Sequence, residues 1–449
     1  MPSFPPIPQF DLTAQQPVTI DSLVAALTAR LGVPSNPYWV LPELTAYIGE
    51  ALRTWNALTK HWHARIPLSI TPGTLFYDLS AVPQLAYTVR DVDLIPVIEY
   101  HLLEPPTPTS WTGSEMFTLA DLTAALQRRR DQFLVETGAV LSQYSLPISA
   151  SPVGRFALSE AVLDVRRAVF QDTNGKYYQM SAEDEIALAS FLPSWDSASK
   201  TPKAWSTGVT PPFQLQLAPP PSQPGTLQMI VTATGATLDP TAGVALGVPD
   251  DFSWVVKWGA LADLLGRDSP ARDPARAQYA EQRYQQGIDQ ARSAATVMNA
   301  TINNRQVKVE SVYDLDYYSP NWHNTIGLAN RFAMAGMNIL APNRMPDTGY
   351  TATLDAVINA PVTALTGTDL GLSPSVADAL VDYAEHLAAF KMAGEEFQAT
   401  LPHLERLLRL AGVEDERSSA ASSYEKTLED RETREETQRW RRSPVSAAR

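Results

Sequence analysis

The side chains best suited to metal or acid–base chemistry in this sequence are six histidines and a few closely spaced aspartates. His61 and His63 flank Trp62, and two histidines at this spacing share a metal only when they lie on an extended strand. The sequence places no third ligand near them, so we expect no metal there. The other histidines stand alone, and we expect them to be hydrogen-bonded structural residues: His101, His323, His386 and His403.

Two pairs of carboxylates have the spacing of acid–base catalysts. Asp91-Val-Asp93 and Asp314-Leu-Asp316 resemble the paired acids of glycosidases, but such pairs are common by chance. The chain carries none of the usual phosphate-binding, dinucleotide-binding, zinc-protease or serine-hydrolase motifs. We therefore predict that the protein is not an enzyme and needs no cofactor.

One loop resembles the start of a calcium site. Asp172 and Asn174 have the right spacing, but Lys176 stands where the third oxygen ligand should be and Tyr177 replaces the expected glycine. Asn174-Gly175 is instead typical of a tight hairpin turn, which the flanking residues 162–180 support.

Composition narrows the functional classes. The chain has 449 residues, no cysteine and a formal net charge of -14. The absence of cysteine excludes disulfides, thiolate nucleophiles and cysteine-ligated metals. A negative field disfavours a grip on nucleic acid, although an acidic wall can surround DNA without adhering to it. No apolar run approaches the length of a membrane helix, so we expect no membrane anchor.

Hydrophobic periodicity predicts an α+β fold, in which a helical bundle carries an inserted antiparallel β region and is followed by a mainly helical C-terminal extension. The predicted helices are 19–31, 42–62, 118–142, a pair within 248–292, 327–340, and 374–411 with a break at Pro402. The predicted strands are 66–70 paired with 75–79, the extended segment 88–103, the hairpin 162–180, and 213–221 joined to 226–235.

These elements predict five consecutive regions. They are an extended N-terminal arm over 1–18, the helical bundle over 19–300 with β insertions at about 66–103 and 162–235, an irregular connecting region over 301–370, a helical segment over 371–412, and a charged tail over 413–449. The helix pair within 248–292 is expected to complete the bundle that residues 19–62 begin.

Charged residues on two predicted helices are the candidates for subunit contact. The second helix of the 248–292 pair has one apolar stripe and one long polar face, which suits contact with a neighbour or with water. The earlier helix carries a basic run that could form salt bridges to an acidic neighbour. The predicted interface residues are Arg276, Glu281, Arg283, Asp289, Arg128, Arg129 and Arg130.

The order of elements over roughly 19–295 resembles that of the adaptor, or head-to-tail connector (neck), proteins of tailed bacteriophages, and is similar to the gatekeeper tail-tube proteins of short-tailed phages. The features that carry the resemblance are the helix pair, the hairpins, an aromatic loop, a strand–turn–strand segment and a second helix pair. Their marker residues are Trp195, Pro202, Lys203, Ala204, Trp205, Leu215, Leu217, Pro219, Pro220, Pro221, Leu227, Ile230, Val231, Pro249, Asp250, Asp251, Phe252, Tyr279 and Tyr284.

The resemblance implies a structural virion protein, made in the host cytoplasm, that forms a homo-oligomeric ring in the neck. Twelve copies are expected, bound to the portal protein on one side and to tail or nozzle proteins on the other. DNA would pass through the lumen without sequence-specific binding. The C-terminal residues beyond about 300 have no counterpart in that family pattern.

A second hypothesis is a tail or baseplate component that binds a receptor or carbohydrate. The region 306–350 is rich in aromatic residues and carboxylates, and both Tyr317 and Trp322 could contact a sugar ring. Loss of glycan binding on changing either residue would favour this function over the first.

Overall fold

The computed structural model describes residues 17–32, 38–103, 116–191, 195–197, 199–208, 214–363 and 366–415. The predicted N-terminal arm, apart from its last two residues, and the tail beyond residue 415 lie outside the described residues. The chain forms two compact units, one built from residues 1–60 with 361–449 and the other from residues 61–360. We call them unit 1 and unit 2.

The fold is α+β, and its helices are numbered in chain order. They are α1 (Ile20–Arg30), α2 (Leu41–Thr59), α3 (Asp91–Leu102), α4 (Leu119–Thr137), α5 (Glu185–Phe191), α6 (Ser253–Gly266), α7 (Pro274–Ser293), α8 (Val312–Tyr318), α9 (Pro374–Met392), α10 (Gly394–Ala399) and α11 (401–415).

All strands among the described residues belong to unit 2. They are β1 (His63–Ile70), β2 (Tyr77–Asp78), β3 (Ser142–Ile148), β4 (Arg155–Ala157), β5 (Val162–Asp172), β6 (Tyr177–Gln179), β7 (Ser181–Ala182), β8 (Ala204–Gly208), β9 (Gln214–Ala218), β10 (Gly225–Ala233), β11 (Val297–Ile302), β12 (Arg305–Ser311), β13 (Arg331–Ala335), β14 (Ile339–Pro342) and β15 (Tyr350–Val357).

Unit 1 is helical in its described part. α1 and α2 pack against α9, so the N-terminal helices are completed by a segment from the far end of the chain. Two ion pairs join these helices. Arg30 of α1 pairs with Asp382 of α9, and Lys391 Nζ of α9 lies 3.2 Å from Glu43 Oε2 of α2. α9 begins at Pro374 because Ser373 caps it and proline fits the first helical turn.

Unit 2 contains three sheets. A seven-stranded sheet has the order β1-β15-β11-β12-β13-β14-β2, and two four-stranded sheets have the orders β3-β10-β5-β6 and β4-β9-β8-β7. The two smaller sheets share one core, which includes Trp205 and Leu215 from one sheet and Phe170 and Leu227 from the other. They form a sandwich inserted between α4 and α6.

Helix α6 is the centre of the helical part of unit 2. Every residue from Ser253 to Leu265 is buried except Asp263, and α4 and α7 pack along it. Its apolar composition on all sides is typical of a helix surrounded by protein. The α6–α7 contact is close because Gly287 of α7 faces Val255, where an added Cβ would lie 2.3 Å from Val255 Cγ2.

The structure confirms many predicted elements. These are the helices at 19–31, 42–62 and 118–142, the helix pair within 248–292, and the hairpin 162–180 with its turn at Asn174-Gly175. Gly138, in the left-handed conformation at φ 59°, ends α4 four residues earlier than the predicted boundary. Local patterns sufficed here because caps and turn residues lie within the elements themselves.

One predicted strand is wrong, because residues 88–103 contain helix α3. Asp93 accepts a hydrogen bond from the backbone N–H of Arg90 over 2.9 Å, which caps the first turn. The apolar residues Leu94, Ile95 and Ile98 are buried on the helix. A capping carboxylate at this position outweighs the strand preference of the β-branched residues.

One predicted strand pair is also wrong. β1 pairs with β15 and β2 with β14, so 66–70 and 75–79 do not form a hairpin. The predicted strands 213–221 and 226–235 are present as β9 and β10, and they lie in different sheets of the sandwich. Strand partners distant in sequence are chosen by packing, which the local pattern does not encode.

The region 301–370 was predicted to be irregular, and this is wrong. It contains the last residues of β11 and the whole of strands β12 to β15. The predicted helix 327–340 is the β13–β14 hairpin, which turns at Gly336 with φ 62°. In the last helical segment the chain breaks at Ala393, with φ 59°, and again at Thr400, whereas Pro402 starts α11. Proline suits a helix start better than a helix interior.

The prediction that the helix pair within 248–292 completes a bundle begun by residues 19–62 is also wrong. Residues 19–59 belong to unit 1 and pack on α9, whereas the 248–292 pair belongs to unit 2 and packs with α4. Both segments carry an apolar stripe, and a stripe does not specify which helix covers it.

We predict that Gly287→Ala lowers the free energy of unfolding by about 1–3 kcal/mol, because Val255 is fully buried and cannot yield without disturbing its neighbours. Urea denaturation followed by circular dichroism measures this. Gly266→Ala is the matched control, since its Cβ would meet only Ala277 Cβ at 3.8 Å. Equal stability of the two variants would contradict the tight α6–α7 contact.

Candidate functional site

The predicted interface residues lie on α4 and α7, which caps hold in register against α6. Thr118 and Asp121 cap each other at the start of α4: the N–H of Asp121 donates to Thr118 Oγ1 over 3.2 Å. Asp273 starts α7 by accepting from the N–H of Arg276 over 3.1 Å. Because both helix starts are fixed, the basic run of α4 is set against α6 and α7.

An ionic network joins the three helices. Arg128 Nε lies 3.0 Å from Asp263 Oδ2. Arg129 Nη2 lies 2.6 Å from Asp263 Oδ1 and 2.8 Å from Glu281 Oε2. The Arg129 guanidinium also lies 4.9 Å from the ring centre of Tyr284. Asp263 accepts hydrogen bonds from both arginines and was not predicted as a site residue from the sequence. An acid within a mainly apolar helix is nevertheless a signal for a buried cationic partner.

The basic run therefore finds its acidic neighbour within the chain. The side chain of Arg128 is 64% exposed, whereas that of Arg129 is 12% exposed. Arg129 bridges two carboxylates of two other helices, which makes it a structural residue of the protomer. Arg128 keeps most of its surface available to a partner.

Three further candidates are buried inside the chain. Arg130 donates to the carbonyl of Ala236 over 2.6 Å, Arg276 donates to the carbonyl of His101, and Arg283 lies over the ring of Trp254 at 4.8 Å. Their side chains are not accessible to another subunit in this conformation. Burial beneath a helix cannot be read from charge alone, because long side chains bury their stems while their charged ends find partners.

The remaining two candidates, Glu281 and Asp289, reach the surface to different extents. Glu281 is half-buried beside Arg129, and the side chain of Asp289 is 76% exposed and lies 3.3 Å from Arg292. Of the seven predicted interface residues, Arg128, Glu281 and Asp289 thus present charge at the surface of α4 and α7.

We predict that Arg129→Ala lowers the free energy of unfolding by about 1–3 kcal/mol, since it removes a buried cation from Glu281 and leaves Asp263 only the exposed Arg128. Arg128→Ala is the matched control on the same carboxylate and should cost about 0–1 kcal/mol, as exposed ion pairs do. Urea unfolding of both variants measures the difference. Equal losses would show that the network does not depend on burial of Arg129.

A second polar cluster joins the sandwich to the segment after α8. Arg167 of β5 binds Asp316 with two hydrogen bonds of 2.6 and 2.9 Å. Trp322 Nε1 donates to the same carboxylate over 2.8 Å, and Arg167 also donates to His323 Nε2. Asp316 is thus a structural anion, and Trp322, which is 2% exposed, cannot serve as a platform for a sugar.

His323 is held neutral. Burial, and then the positive charge of Arg167, lower the pKa of His323 to about 2. Because Nε2 accepts from Arg167, the ring proton lies on Nδ1. The unfolded chain has an ordinary histidine pKa near 6.5, so its protonation favours unfolding in acid.

We predict that this histidine removes about 1.4 kcal/mol of stability for each pH unit below about 6.5, down to its folded pKa. The stability is fully present above that pH and is lost as the pH falls. His323→Asn removes the titration, so the difference in unfolding free energy between wild type and variant should change from pH 7 to pH 4.5. A difference that is independent of pH would contradict a buried neutral ring.

The other residues considered for chemistry have structural roles. Asp91 is buried and accepts from the N–H of Asp239 over 2.9 Å, and Asp93 caps α3. His63 Nδ1 lies 3.1 Å from Asp355 Oδ1. In each aspartate pair at least one carboxylate is thus held by a structural partner, Asp91 and Asp93 in the first and Asp316 in the second.

The calcium-like loop is a hydrogen-bonded turn. The N–H of Lys176 donates to Asp172 Oδ1 over 2.9 Å and lowers the pKa of this carboxyl group, and the N–H of Asn174 adds to the effect. The carboxylate oxygen therefore serves the turn, as it does in Asx turns generally.

Unit 1 contains one group with metal-ligand chemistry among the described residues: Asp382, Glu385 and His403 have ligand atoms within 4.8 Å of one another. Arg30 and Arg406 both pair with Asp382, and Arg30 Nη1 lies 3.5 Å from Glu385. Two guanidinium groups already neutralise these carboxylates, so the group is an ion-pair cluster that ties α1 and α11 to α9.

The family comparison concerns unit 2. Residues 93–306 match the family model described as SU10 adaptor protein. This part of the chain is therefore similar to a family of phage adaptor proteins. No curated protein matches the chain. Within the described residues, no helix has both the length and the apolarity needed to cross a membrane.

The SU10 adaptor match covers less than half of the chain. It begins in α3 and ends in β12, so it includes α4, α6, α7 and both sheets of the sandwich. All predicted interface residues lie within it. Unit 1, α8 and strands β13 to β15 lie outside it.

Proposed function

We propose that this chain is an adaptor of a tailed bacteriophage that forms a ring in the neck of the virion and joins the portal to the tail. The SU10 adaptor match over the helical core and the sandwich is the observation that carries the proposal. The similarity to gatekeeper tail-tube proteins stays a prediction.

The net negative charge of the chain supports the proposal that DNA passes through the ring. The chain has 49 acidic residues against 35 basic ones. Several of the arginines are committed to internal partners: Arg129, Arg130, Arg167, Arg276 and Arg283. Fewer cations are thus left for phosphates than the sequence suggests. A ring lined by such a surface repels the DNA backbone and lets the duplex slide without sequence-specific contacts.

Ring closure requires two different surfaces on each copy, because a rotational ring is built from head-to-tail contacts. The exposed charges Arg128, Glu281 and Asp289 are our candidates for one of these surfaces. Twelve copies, a portal on one face and tail or nozzle proteins on the other are part of the proposal.

We predict that the purified protein forms a defined oligomer, or does so when portal protein is added. Native mass spectrometry with and without portal measures this, and Asp289→Lys should weaken the assembly while its thermal unfolding stays unchanged. Arg305→Glu, a charge reversal at the exposed β11–β12 turn, is the control and should assemble normally. A monomer that ignores portal would overturn the proposed function.

The receptor- or carbohydrate-binding alternative now rests on Tyr317 alone of the two aromatic candidates, since this side chain is 80% exposed and Trp322 is buried. A chain that stays monomeric with portal, yet loses glycan-array binding in the Tyr317→Ser variant, would favour that function.

A further inference from the structure

A cleft of about 640 Å³ lies in unit 2 between α8 and the β7–β8 edge of the sandwich. The buried side chains of Met180 and Trp205 give it an apolar lining on the side of the sandwich. Tyr313 and Tyr317 line it on the α8 side, and Pro320 follows them. We call it the tyrosine cleft.

The tyrosine cleft exposes groups that a folded chain usually covers. Tyr313 is 51% exposed and Tyr317 is 80% exposed. Gln179 also lines the cleft, and its buried amide oxygen, Oε1, has no hydrogen-bond partner among the described residues. Exposed aromatic groups often mark an interaction surface, and buried polar atoms nearly always have a partner. The cleft is therefore suited to a further molecule.

Among the described residues that line the tyrosine cleft, one cation is left open to a ligand. Arg167 is held by Asp316, and Arg166 Nε lies 3.0 Å from Asp164 Oδ2. Lys203 is exposed and pairs with no carboxylate in the part of the chain that the structure describes. An aliphatic side chain next to a carboxylate would therefore complement both the tyrosines and this lysine.

The start of α5 has this combination of side chains. Glu183, Asp184 and Glu185 are exposed, and the residue that follows them, Ile186, is 75% exposed. Two residues further on, Leu188 is buried against β8 and β9 and anchors the helix to the sandwich. Because α5 is anchored, Ile186 is held open to solvent rather than inside the cleft of its own chain. We call residues 183–186 the α5 knob.

The α5 knob begins beside the tyrosine cleft. The N–H of Glu183 donates to the carbonyl of Trp205 over 2.9 Å, and Trp205 lines the cleft. Glu185 lies 3.6 Å from Arg155, which leaves Glu183 and Asp184 for another cation. A surface that carries an acidic, apolar knob next to a basic, aromatic cleft is complementary to itself, so two copies can meet through it reciprocally. The occupant that fits is therefore a second copy of this chain.

We propose that the tyrosine cleft binds the α5 knob of a second copy. Ile186 packs against Tyr317, and Glu183 lies beside Lys203. The apolar contact supplies most of the affinity, whereas the exposed ion pair contributes little free energy and mainly sets the register. The contact does not use the charged faces of α4 and α7, so it does not rest on the ring proposed above.

The chain has no cysteine, so single introduced cysteines report on a contact between copies. One chain carries Glu183→Cys as a free thiol. The other carries Lys203→Cys as a thiopyridyl disulfide, which the thiol attacks to form a disulfide between the chains and release pyridine-2-thione. We predict that this exchange is at least about tenfold faster than with Lys308→Cys activated in the same way, because docking raises the local thiol concentration. Lys308 is the matched control, an exposed lysine of unit 2 that does not line the cleft.

Two further changes separate docking from chance encounter. Each rate is divided by the rate of the same activated chain with glutathione, which corrects for the reactivity of the site. Ile186→Ser in the thiol chain, or Tyr317→Ser in the activated chain, should abolish the advantage of position 203. Val153→Ser changes another exposed aliphatic residue and should leave the advantage intact. Circular dichroism checks that each variant is folded.

Equal corrected rates at positions 203 and 308 would overturn the proposal. An advantage that survives both Ile186→Ser and Tyr317→Ser would also overturn it, because the α5 knob and the tyrosines would then not carry the contact. Fast, Ile186-dependent exchange in a chain that ignores portal would support this contact while overturning the ring, so the two proposals fail separately.

Discussion

The helical part of unit 2 depends on the enclosure of α6. A helix that is buried on nearly every side must be met closely by its neighbours, and two glycines make this possible. Gly287 lets α7 approach Val255, and at Gly259 an added Cβ would lie 2.8 Å from Tyr284. The one partly exposed side chain within the helix before its last residue, Asp263, pairs with two of the three arginines of α4, Arg128 and Arg129. Packing and charge thus act on the same three helices and fix the same geometry.

The internal ion pairs also determine which arginines remain available at the surface. Arginines that look available in the sequence are largely used to tie elements together: Arg129 joins three helices, Arg167 joins the sandwich to the α8 region, and Arg30 joins α1 to α9. Such pairs orient elements more than they stabilise them, because desolvation offsets much of the attraction. Each pair uses an acidic and a basic side chain together, so the chain keeps its net charge of -14 while few of these arginines remain open to a ligand.

The sequence predicted the α+β class and several elements whose signals are local, such as the Thr118 cap, the Asn174-Gly175 turn and the Asp273-Pro274 helix start. It failed where the outcome depends on distant partners. β1 pairs with β15 some 280 residues away, as in Ile70↔Tyr350, and nothing near residue 70 encodes that choice. For the predicted interface residues, the sequence indicated the charge and the helical face of Arg128 and Asp289. The burial of Arg130 and Arg283 could not be predicted, because it depends on how the neighbouring helices pack.

Unit 1 is assembled from the two ends of the chain, with residues 61–360 between them. During synthesis, α1 and α2 leave the ribosome long before α9 exists to cover Leu44, Ile48 and Leu52. At ordinary translation rates of ~5–20 residues per second, the interval is about 15–60 s. Unit 2 has time to complete its core in that interval, so we expect it to fold before unit 1. The N-terminal helices must remain unaggregated until the last third of the protein has been made.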